Sequence, residues 1–362
     1  MPLKDTYTLP AAADLHVHLR NAPGPIAALV TPTIRPSGID TVFVMPNLAP
    51  KPVTSVNEAI AYKAALEAID PTVSYLMSLY LHSDISPSEI RRAKESGVIY
   101  GVKAYPRGAT TNSQWGVVSF DGFHEVLREM EEVGLVLNLH GEVPSDAKEG
   151  VTVMNAEERF LPTLRGLSDK YPRLKIVLEH CTTSKAVELV RELREKEGRD
   201  VVGTITAHHL SLLVDDWSAN VHHYCKPSAK SPEDRRALLQ AVVTSNGSFF
   251  LGTDSAPHDI TSKKGKGNTA AGVFTQPYAL GYVLQALEEG IARGDLDESL
   301  VADEVLAGFF STYGRKFYGV APAAQNIKLT RDGATIEESL SGGGVEVVPF
   351  RAGQKTWSVE WL

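Results

Sequence analysis

The sequence predicts a (β/α)8 barrel with a small C-terminal β extension. Eight short apolar segments rich in β-branched residues alternate with amphipathic helical segments along most of the chain. This alternation is typical of parallel strands joined by helices, and eight such strands can close into a barrel. The chain of 362 residues is long enough for one barrel and an appendage. We therefore expect a barrel over residues 1–320 and a β appendage over residues 321–362.

The predicted elements follow one another in regular order. Strands are expected at residues 12–17, 41–45, 74–81, 98–103, 135–140, 175–180, 201–206 and 248–252. Helices are expected at residues 55–69, 87–96, 120–133, 156–171, 185–197, 233–244 and 278–289. Ser86 and Ser231 each precede a proline, an arrangement that is frequent where a helix begins. Four prolines interrupt residues 23–36, so the helix after the first strand should be irregular.

The pattern changes after Val320. Short alternating segments at residues 326–329, 345–350 and 356–361 are separated by glycine-containing turns. We interpret them as the strands of the small appendage, packed on the barrel.

Composition and charge exclude several classes of protein. With 43% hydrophobic and 22% charged residues, the chain should be a soluble globular protein with a sizeable core. No apolar segment approaches the ~18 residues that a membrane-spanning helix needs. The net charge of −8, without a basic stripe, argues against a nucleic-acid partner. Two cysteines, Cys181 and Cys225, and an N-terminus without a signal-peptide pattern predict a reducing, cytoplasmic setting.

Polar side chains recur at the C-terminal ends of the predicted strands, the face where barrel enzymes build their sites. His16, His18 and Arg20 occupy alternate positions, so an extended strand would place them on one side. Further strands end in, or lead to, Asn47, Lys103, His140, His180 and Asp254. The alternative is a set of buried core histidines, but these would not be expected to choose the same end of separate strands. The pattern therefore predicts a metal site.

Lys103 is an unusual member of this set, because an ammonium group has no lone pair to offer a metal. If its amine reacts with carbon dioxide, the resulting carbamate has two oxygens that can bridge two cations. The alternative is a lysine that closes a salt bridge at the rim of the barrel. Four imidazoles, a carbamate and a carboxylate suit two cations of the zinc type, which can activate water and polarise a carbonyl group. Asp254 could carry the proton to a leaving nitrogen, or could simply cap the turn after Thr253.

Seven motifs together resemble the short, stand-alone dihydroorotases of the amidohydrolase superfamily, over residues 12–320. They are Asp14-Leu15-His16-Val17-His18-Leu19-Arg20, Met45-Pro46-Asn47-Leu48-Ala49-Pro50, Val102-Lys103-Ala104-Tyr105-Pro106, Leu139-His140-Gly141-Glu142-Val143, Glu179-His180-Cys181-Thr182-Thr183, Tyr224-Cys225-Lys226-Pro227 and Gly252-Thr253-Asp254-Ser255-Ala256-Pro257-His258. The resemblance implies two Zn²⁺ ions per chain, held by His16, His18, His140, His180, Asp254 and an N6-carboxylated Lys103. It implies that Asp254 is the catalytic residue.

The resemblance also implies a substrate and its contacts. The reaction would be the reversible interconversion of N-carbamoyl-L-aspartate and L-dihydroorotate in de novo pyrimidine (UMP) biosynthesis. Arg20, Asn47 and His258 would hold the α-carboxylate of this small molecule, and backbone groups near Lys226 and Ala271 would contact the ring amides. Residues 108–113 resemble the family's mobile lid, whose threonines, here Thr110 and Thr111, reach the substrate. Dimers are common in this family, so a homodimer is possible.

Two other interpretations compete with this one. The first is another binuclear enzyme, such as a hydantoinase or a phosphotriesterase. Against it, Arg20 with Asn47 and His258 suits a small anionic substrate, and about a dozen residues before the first strand are too few for half of a β-sandwich. The second is an inactive barrel that serves as a binding scaffold, which missing ligands would favour, and none is missing. His208 and His209 stay unassigned and are expected to have satisfied hydrogen bonds, and both cysteines are expected to be packing residues.

Overall fold

The computed structural model describes residues 3–264 and 269–362. Its main sheet has eight parallel strands in the order of the sequence, β2 to β9. They are β2 (Ala12–Val17), β3 (Ile39–Val44), β4 (Ser74–Tyr80), β5 (Ile99–Ala104), β6 (Val136–His140), β7 (Ile176–Glu179), β8 (Val201–Ile205) and β9 (Phe249–Leu251). Backbone bonds from Asp254 N to His16 O (2.9 Å) and from His18 N to Ser255 O (3.0 Å) join the first and last strands. The predicted (β/α)8 barrel is therefore confirmed.

Helices surround the sheet. They are α1 (Pro25–Val30), α2 (Val56–Glu67), α3 (Pro87–Glu95), α4 (His124–Val133), α5 (Ala156–Lys170), α6 (Ser184–Arg191), α7 (Val214–Ala219), α8 (Pro232–Thr244), α9 (Ala279–Arg293), α10 (Asp303–Ala307) and α11 (Tyr313–Tyr318). The side chains of Ser86 and Ser231 accept hydrogen bonds from backbone N–H groups in the first turns of α3 and α8, as predicted. The proline-rich segment after β2 does contain a short helix, α1, because Pro25 stands at its first position, where a missing N–H costs nothing.

The N-terminus contributes a strand that the sequence interpretation missed. Strand β1 (Thr6–Pro10) pairs antiparallel with β10 (Asn326–Thr335), which pairs with β13 (Lys355–Trp361). A separate hairpin joins β11 (Leu340–Gly342) and β12 (Val345–Val347). The sequence signal that could have revealed β1 is the placement of the apolar residues Tyr7 and Leu9 at alternate positions. Both side chains are buried in the structure. Strands β10 and β13 of the appendage thus share a sheet with the N-terminal strand β1. The boundary at residue 320 stays a prediction.

The interior of the barrel is apolar at the N-terminal ends of the strands. Its side chains include Leu15, Phe43 and Phe250, and the rings of Phe317 and Tyr318 from α11 pack against them. A Cβ atom on Gly314 would lie 2.0 Å from Leu15 Cδ1, so this close approach of α11 requires glycine. Packing at this end leaves the C-terminal ends of the strands for polar residues.

Among the residues described, the structure shows no helix with both the length and the apolar character that crossing a membrane requires.

Candidate active site

A small cavity lies at the C-terminal ends of the barrel strands and brings together most of the predicted site residues. Its lining comprises His16, His18, Arg20, Asn47, Tyr105, Thr110, Thr111, His140, His180, Lys226, Asp254, Ala256, Ala271 and Gly272. Two predicted residues do not line it. Lys103 is completely buried and close enough to influence the charge states of His16, His140 and His180, and His258 contacts Arg20.

Asp254 contacts both His16 and His18. Its Oδ1 atom lies 3.3 Å from His16 Nε2 and 3.0 Å from His18 Nε2. Potential ligand atoms of these three residues lie within 4.8 Å of one another. The ring of His180 lies 5.1 Å from that of His16 and 4.7 Å from that of His140, measured between centroids. Four imidazoles and one carboxylate therefore form a continuous cluster.

The pKa values in this cluster follow from burial and from the opposite charges within it. Burial lowers the pKa of His18 to about 4, which leaves a neutral ring with a free lone pair at pH 7. Burial acts to raise the pKa of Asp254, but hydrogen bonds with His16 and His18 outweigh it, so this pKa falls well below its ordinary value. Asp254 is therefore an anion beside the neutral imidazole of His18.

Lys103 is the unusual group of the site. Its Nζ atom is buried and has no hydrogen-bond partner within residues 3–264 and 269–362. Burial lowers the pKa of its ammonium group to about 8, despite the nearby carboxylates of Glu179 and Asp254. A buried amine without a partner is costly to keep, and a lowered pKa increases the neutral, nucleophilic fraction. The salt bridge at the barrel rim, considered from the sequence, is absent among the described residues.

Two glutamates that the sequence interpretation did not assign hold the histidines in place. Glu179 Oε2 lies 2.9 Å from His16 Nδ1, and the same carboxylate accepts hydrogen bonds from Asn138 Nδ2 (2.6 Å) and Thr204 Oγ1 (2.6 Å). Each of these contacts orients the carboxylate. A bond to Nδ1 fixes the His16 tautomer and leaves Nε2 directed at Asp254.

Glu142 has the corresponding role for His140. Its Oε2 atom lies 2.8 Å from His140 Nε2, and both side chains are buried. Glu142 and Glu179 each stand within two residues of a predicted histidine ligand. That proximity to a candidate ligand is the signal by which the sequence could have identified them.

The backbone is strained at three site residues. Arg20, His180 and Asp254 have φ values of 63°, 43° and 46°, in the left-handed region that costs a non-glycine residue about 1 kcal/mol or more. Residues with such strain cluster at functional sites, where the surrounding structure holds them. Asp14 supplies part of this support, since its carboxylate accepts hydrogen bonds from Thr253 N (2.8 Å) and Thr253 Oγ1 (2.7 Å). Arg20 therefore does not continue the simple alternation of strand side chains. Its side chain nevertheless reaches the cavity.

Arg20 brings a positive charge to the cavity and contacts His258, whose pKa burial and Arg20 lower well below its ordinary value. Arg20 Nη2 lies 3.0 Å from His258 Nε2, and Arg20 Nε donates to Pro257 O (2.8 Å). His258 Nε2 also lies 2.9 Å from Ala271 O, although one nitrogen cannot accept from Arg20 and donate to a carbonyl at once. A ligand carboxylate would satisfy the arginine and relieve this conflict.

The predicted lid covers the cavity. Asn47 Nδ2 donates to Thr111 O (3.1 Å), and Asn112 Nδ2 returns a bond to Asn47 O (3.0 Å). Tyr105, which the sequence interpretation did not assign, also lines the cavity, and its buried hydroxyl has no partner in the described part of the chain. Residues 108–113 thus connect to the loop after β3.

Known proteins resemble this chain over nearly its whole length. The model of the amidohydrolase family matches residues 7–320. A dihydroorotase of Saccharomyces cerevisiae is 41% identical over 363 aligned residues, which cover 96% of each protein. A probable dihydroorotase of Schizosaccharomyces pombe is 43% identical, with 98% of each protein covered. The crystal structure of a dihydroorotase from Saccharomyces cerevisiae, in complex with 5-fluoroorotic acid, has a TM-score of 0.90 at 39% identity, with 99% of each chain covered. The chain therefore belongs to the amidohydrolase family and, within it, to the dihydroorotases, which are hydrolases acting on cyclic amides.

Proposed function

We propose that this protein is a zinc-dependent enzyme that interconverts N-carbamoyl-L-aspartate and L-dihydroorotate in de novo pyrimidine biosynthesis. The observation that carries the proposal is one cavity in which a cluster of histidines and Asp254 faces Arg20. The histidines and Asp254 could hold metal ions beside the amide bond that is opened or closed. Arg20 could bind the substrate carboxylate. A small-molecule substrate agrees with the membership of the dihydroorotases.

The donor atoms of the site fit a pair of cations. Lys103 Nζ and His180 Nδ1 are buried and have no hydrogen-bond partner among the residues described, and His16 Nε2 lies 3.3 Å from Asp254 Oδ1. We propose that His16, His18 and Asp254 hold one Zn²⁺, that His140 and His180 hold the other, and that a carboxylated Lys103 bridges them. Such a pair supplies Lewis acidity and lowers the pKa of water.

The protein side chains have separate tasks in the reaction. Arg20, His258 and Asn47 bind the α-carboxylate and so orient the ring. Backbone groups beside Lys226 and Ala271 contact the ring amides. Asp254 exchanges a proton with the nitrogen of the amide bond that breaks or forms.

The remaining groups control the surroundings of the substrate. Thr110 and Thr111, on the closed lid, exclude bulk water and contact the substrate. The homodimer, the cytoplasmic location and the lack of a nucleic-acid partner stay predictions from the sequence.

The direct test is turnover of L-dihydroorotate. The purified protein, incubated near pH 8, should remove the ultraviolet absorbance of L-dihydroorotate, and a chelator should stop the reaction. Metal analysis should find at least two zinc ions per chain. Bound metal without turnover would contradict the proposed substrate, and turnover that a chelator leaves unchanged would contradict the metal.

Glu179→Gln should lower the affinity for zinc by roughly 10–100-fold, because the amide cannot replace the charge that holds His16 Nδ1. Chelator competition measures this affinity. Glu129→Gln is the matched control, since Glu129 is also a buried carboxylate but pairs with Arg91 on the barrel exterior. Equal zinc affinity in the Glu179 variant and the parent protein would show that Glu179 does not support the site.

Zinc uptake by the metal-free protein should tighten as the pH rises from about 6 to about 8.5. Lys103, with its pKa lowered to about 8, is mostly protonated at pH 7, and only the neutral amine forms a carbamate. The pKa of His16 is raised, because the effects of Glu179 and Asp254 exceed those of burial and Lys103, so its ring must also lose a proton. Chelator competition in bicarbonate buffer, corrected for protonation of the chelator, measures the trend. An affinity that falls with pH would be inconsistent with it.

A further inference from the structure

Three residues outside the cavity lining form a second cluster of potential metal ligands. His208 and His209 follow β8, and Cys225 lies in the segment that leads to Lys226. One ring nitrogen of each histidine and the cysteine Sγ all lie within 4.8 Å of one another. Each residue is at most 1% exposed. The cluster is therefore compact and shielded from solvent.

His209 and His208 differ in their hydrogen bonding. His209 Nδ1 lies 2.8 Å from Thr206 Oγ1, and Nε2 lies 2.9 Å from Pro227 O, so this ring is satisfied as expected from the sequence. Neither ring nitrogen of His208 has a partner among residues 3–264 and 269–362, which contradicts the same expectation for His208. Burying an imidazole without a partner costs free energy, and a cation is one partner that would remove the cost.

The distances fit a single ion. Bonds of about 2.3 Å to sulfur and about 2.0 Å to nitrogen, at a tetrahedral angle, place these two ligand atoms about 3.5 Å apart. Cys225 Sγ lies 3.5 Å from His209 Nε2. In the absence of an ion, the Cys225 thiol (3.2 Å) and His209 Nε2 (2.9 Å) both donate to Pro227 O, and a bound ion would replace these two hydrogen bonds.

We propose that His208, His209 and Cys225 form a separate binding site for one zinc-type cation. Two imidazoles and a thiolate are the borderline-to-soft donors that Zn²⁺ accepts, whereas Ca²⁺ and Mg²⁺ prefer oxygen. Binding forms a sulfur–metal bond and releases the Cys225 thiol proton to solvent, while the ring proton of His209 moves from Nε2 to Nδ1, beside Thr206 Oγ1. The ion links the segment after β8 to the segment that carries Lys226, which lines the candidate active site.

Cobalt distinguishes this site from the proposed binuclear site. The six ligands proposed there are nitrogen and oxygen donors, so a thiolate-to-cobalt charge-transfer band in the near ultraviolet would require a cysteine ligand, which the separate site supplies as Cys225. The full-length protein is stripped of metal, then titrated with Co²⁺ in bicarbonate buffer while its absorbance is recorded. We expect the band to saturate when about one cobalt ion per chain is bound at this site, in addition to the ions of the binuclear site. If the band never develops while the visible bands do, the present proposal is wrong and the binuclear site stands.

Variants identify the ligands. Cys225→Ser should abolish the near-ultraviolet band and lower the cobalt content by about one ion per chain. Cys181→Ser, a change at the other buried free thiol, should leave the band in place. His208→Gln should weaken Co²⁺ binding at this site by at least tenfold, and should fold because His208 makes no hydrogen bond within the described residues. A band that survives in Cys225→Ser, or unchanged affinity in His208→Gln, would overturn the proposal. Failure of the binuclear proposal would instead leave this band intact and reduce the bound cobalt to about one ion per chain.

Discussion

Lys103→Ala should lose its activity and the zinc of the proposed binuclear site. The side chain is fully buried next to His16, His140 and His180, and its carbamate is proposed to bridge the two ions. Removing a bridging ligand should lower the affinity for zinc by more than the roughly 10–100-fold that follows loss of a residue supporting a ligand. Zinc per chain and the rate of L-dihydroorotate ring opening measure the two losses. Unchanged zinc content in this variant would contradict the bridging role.

Chemical rescue makes this prediction more specific. Short carboxylates, such as acetate or propionate, should partly restore zinc and activity in Lys103→Ala, because the vacated position needs only two oxygens. Lys175→Ala is the matched control, since Lys175 donates to Phe317 O at the opposite end of the barrel. It should keep its zinc and should show no response to carboxylates. Equal responses in both variants would indicate a general effect of the added salt.

Arg20→Met should weaken substrate binding and leave zinc bound. The guanidinium contacts His258 and Pro257, not the histidine cluster, and is proposed to hold the substrate carboxylate. Loss of a hydrogen bond to a charged group costs about 1.5–3 kcal/mol, so KM should rise by roughly 10–100-fold. Initial rates over a range of L-dihydroorotate concentrations, with zinc per chain measured in parallel, give both values.

The division of roles can be tested within the same position. Arg20→Lys keeps the positive charge but lacks the planar fork, so its KM should lie between those of the parent and Arg20→Met. Loss of zinc from either variant would show that Arg20 supports the metal site and that the proposed separation of roles is wrong.

The sequence predicted those parts of the site that local patterns determine. Each barrel strand is a short apolar segment, and His140 and His180 stand where such segments end. Parallel strands bring their C-terminal ends to one face, so residues far apart in the chain could be placed together without any coordinates. The candidate positions at the strand ends follow from this rule, and their roles as zinc ligands stay a prediction.

Contacts between distant segments were not predictable in this way. His16 and Glu179 are 163 residues apart, and their contact depends on how β2 and β7 face each other across the barrel. The pairing of β1 with β10 joins segments about 320 residues apart. The missing partner of His208 is likewise a property of packing, because the sequence shows only two adjacent histidines. Such features depend on tertiary register, which alternation of polar and apolar residues does not define.

We propose that four histidines, Asp254 and a carboxylated Lys103 hold two metal ions where the substrate is opened. Anomalous diffraction at the zinc edge from crystals of the purified protein is a direct test. We expect two zinc peaks within this cluster and density for a carboxyl group on Lys103 Nζ. A free Lys103 amine with one peak, or with none, would contradict it.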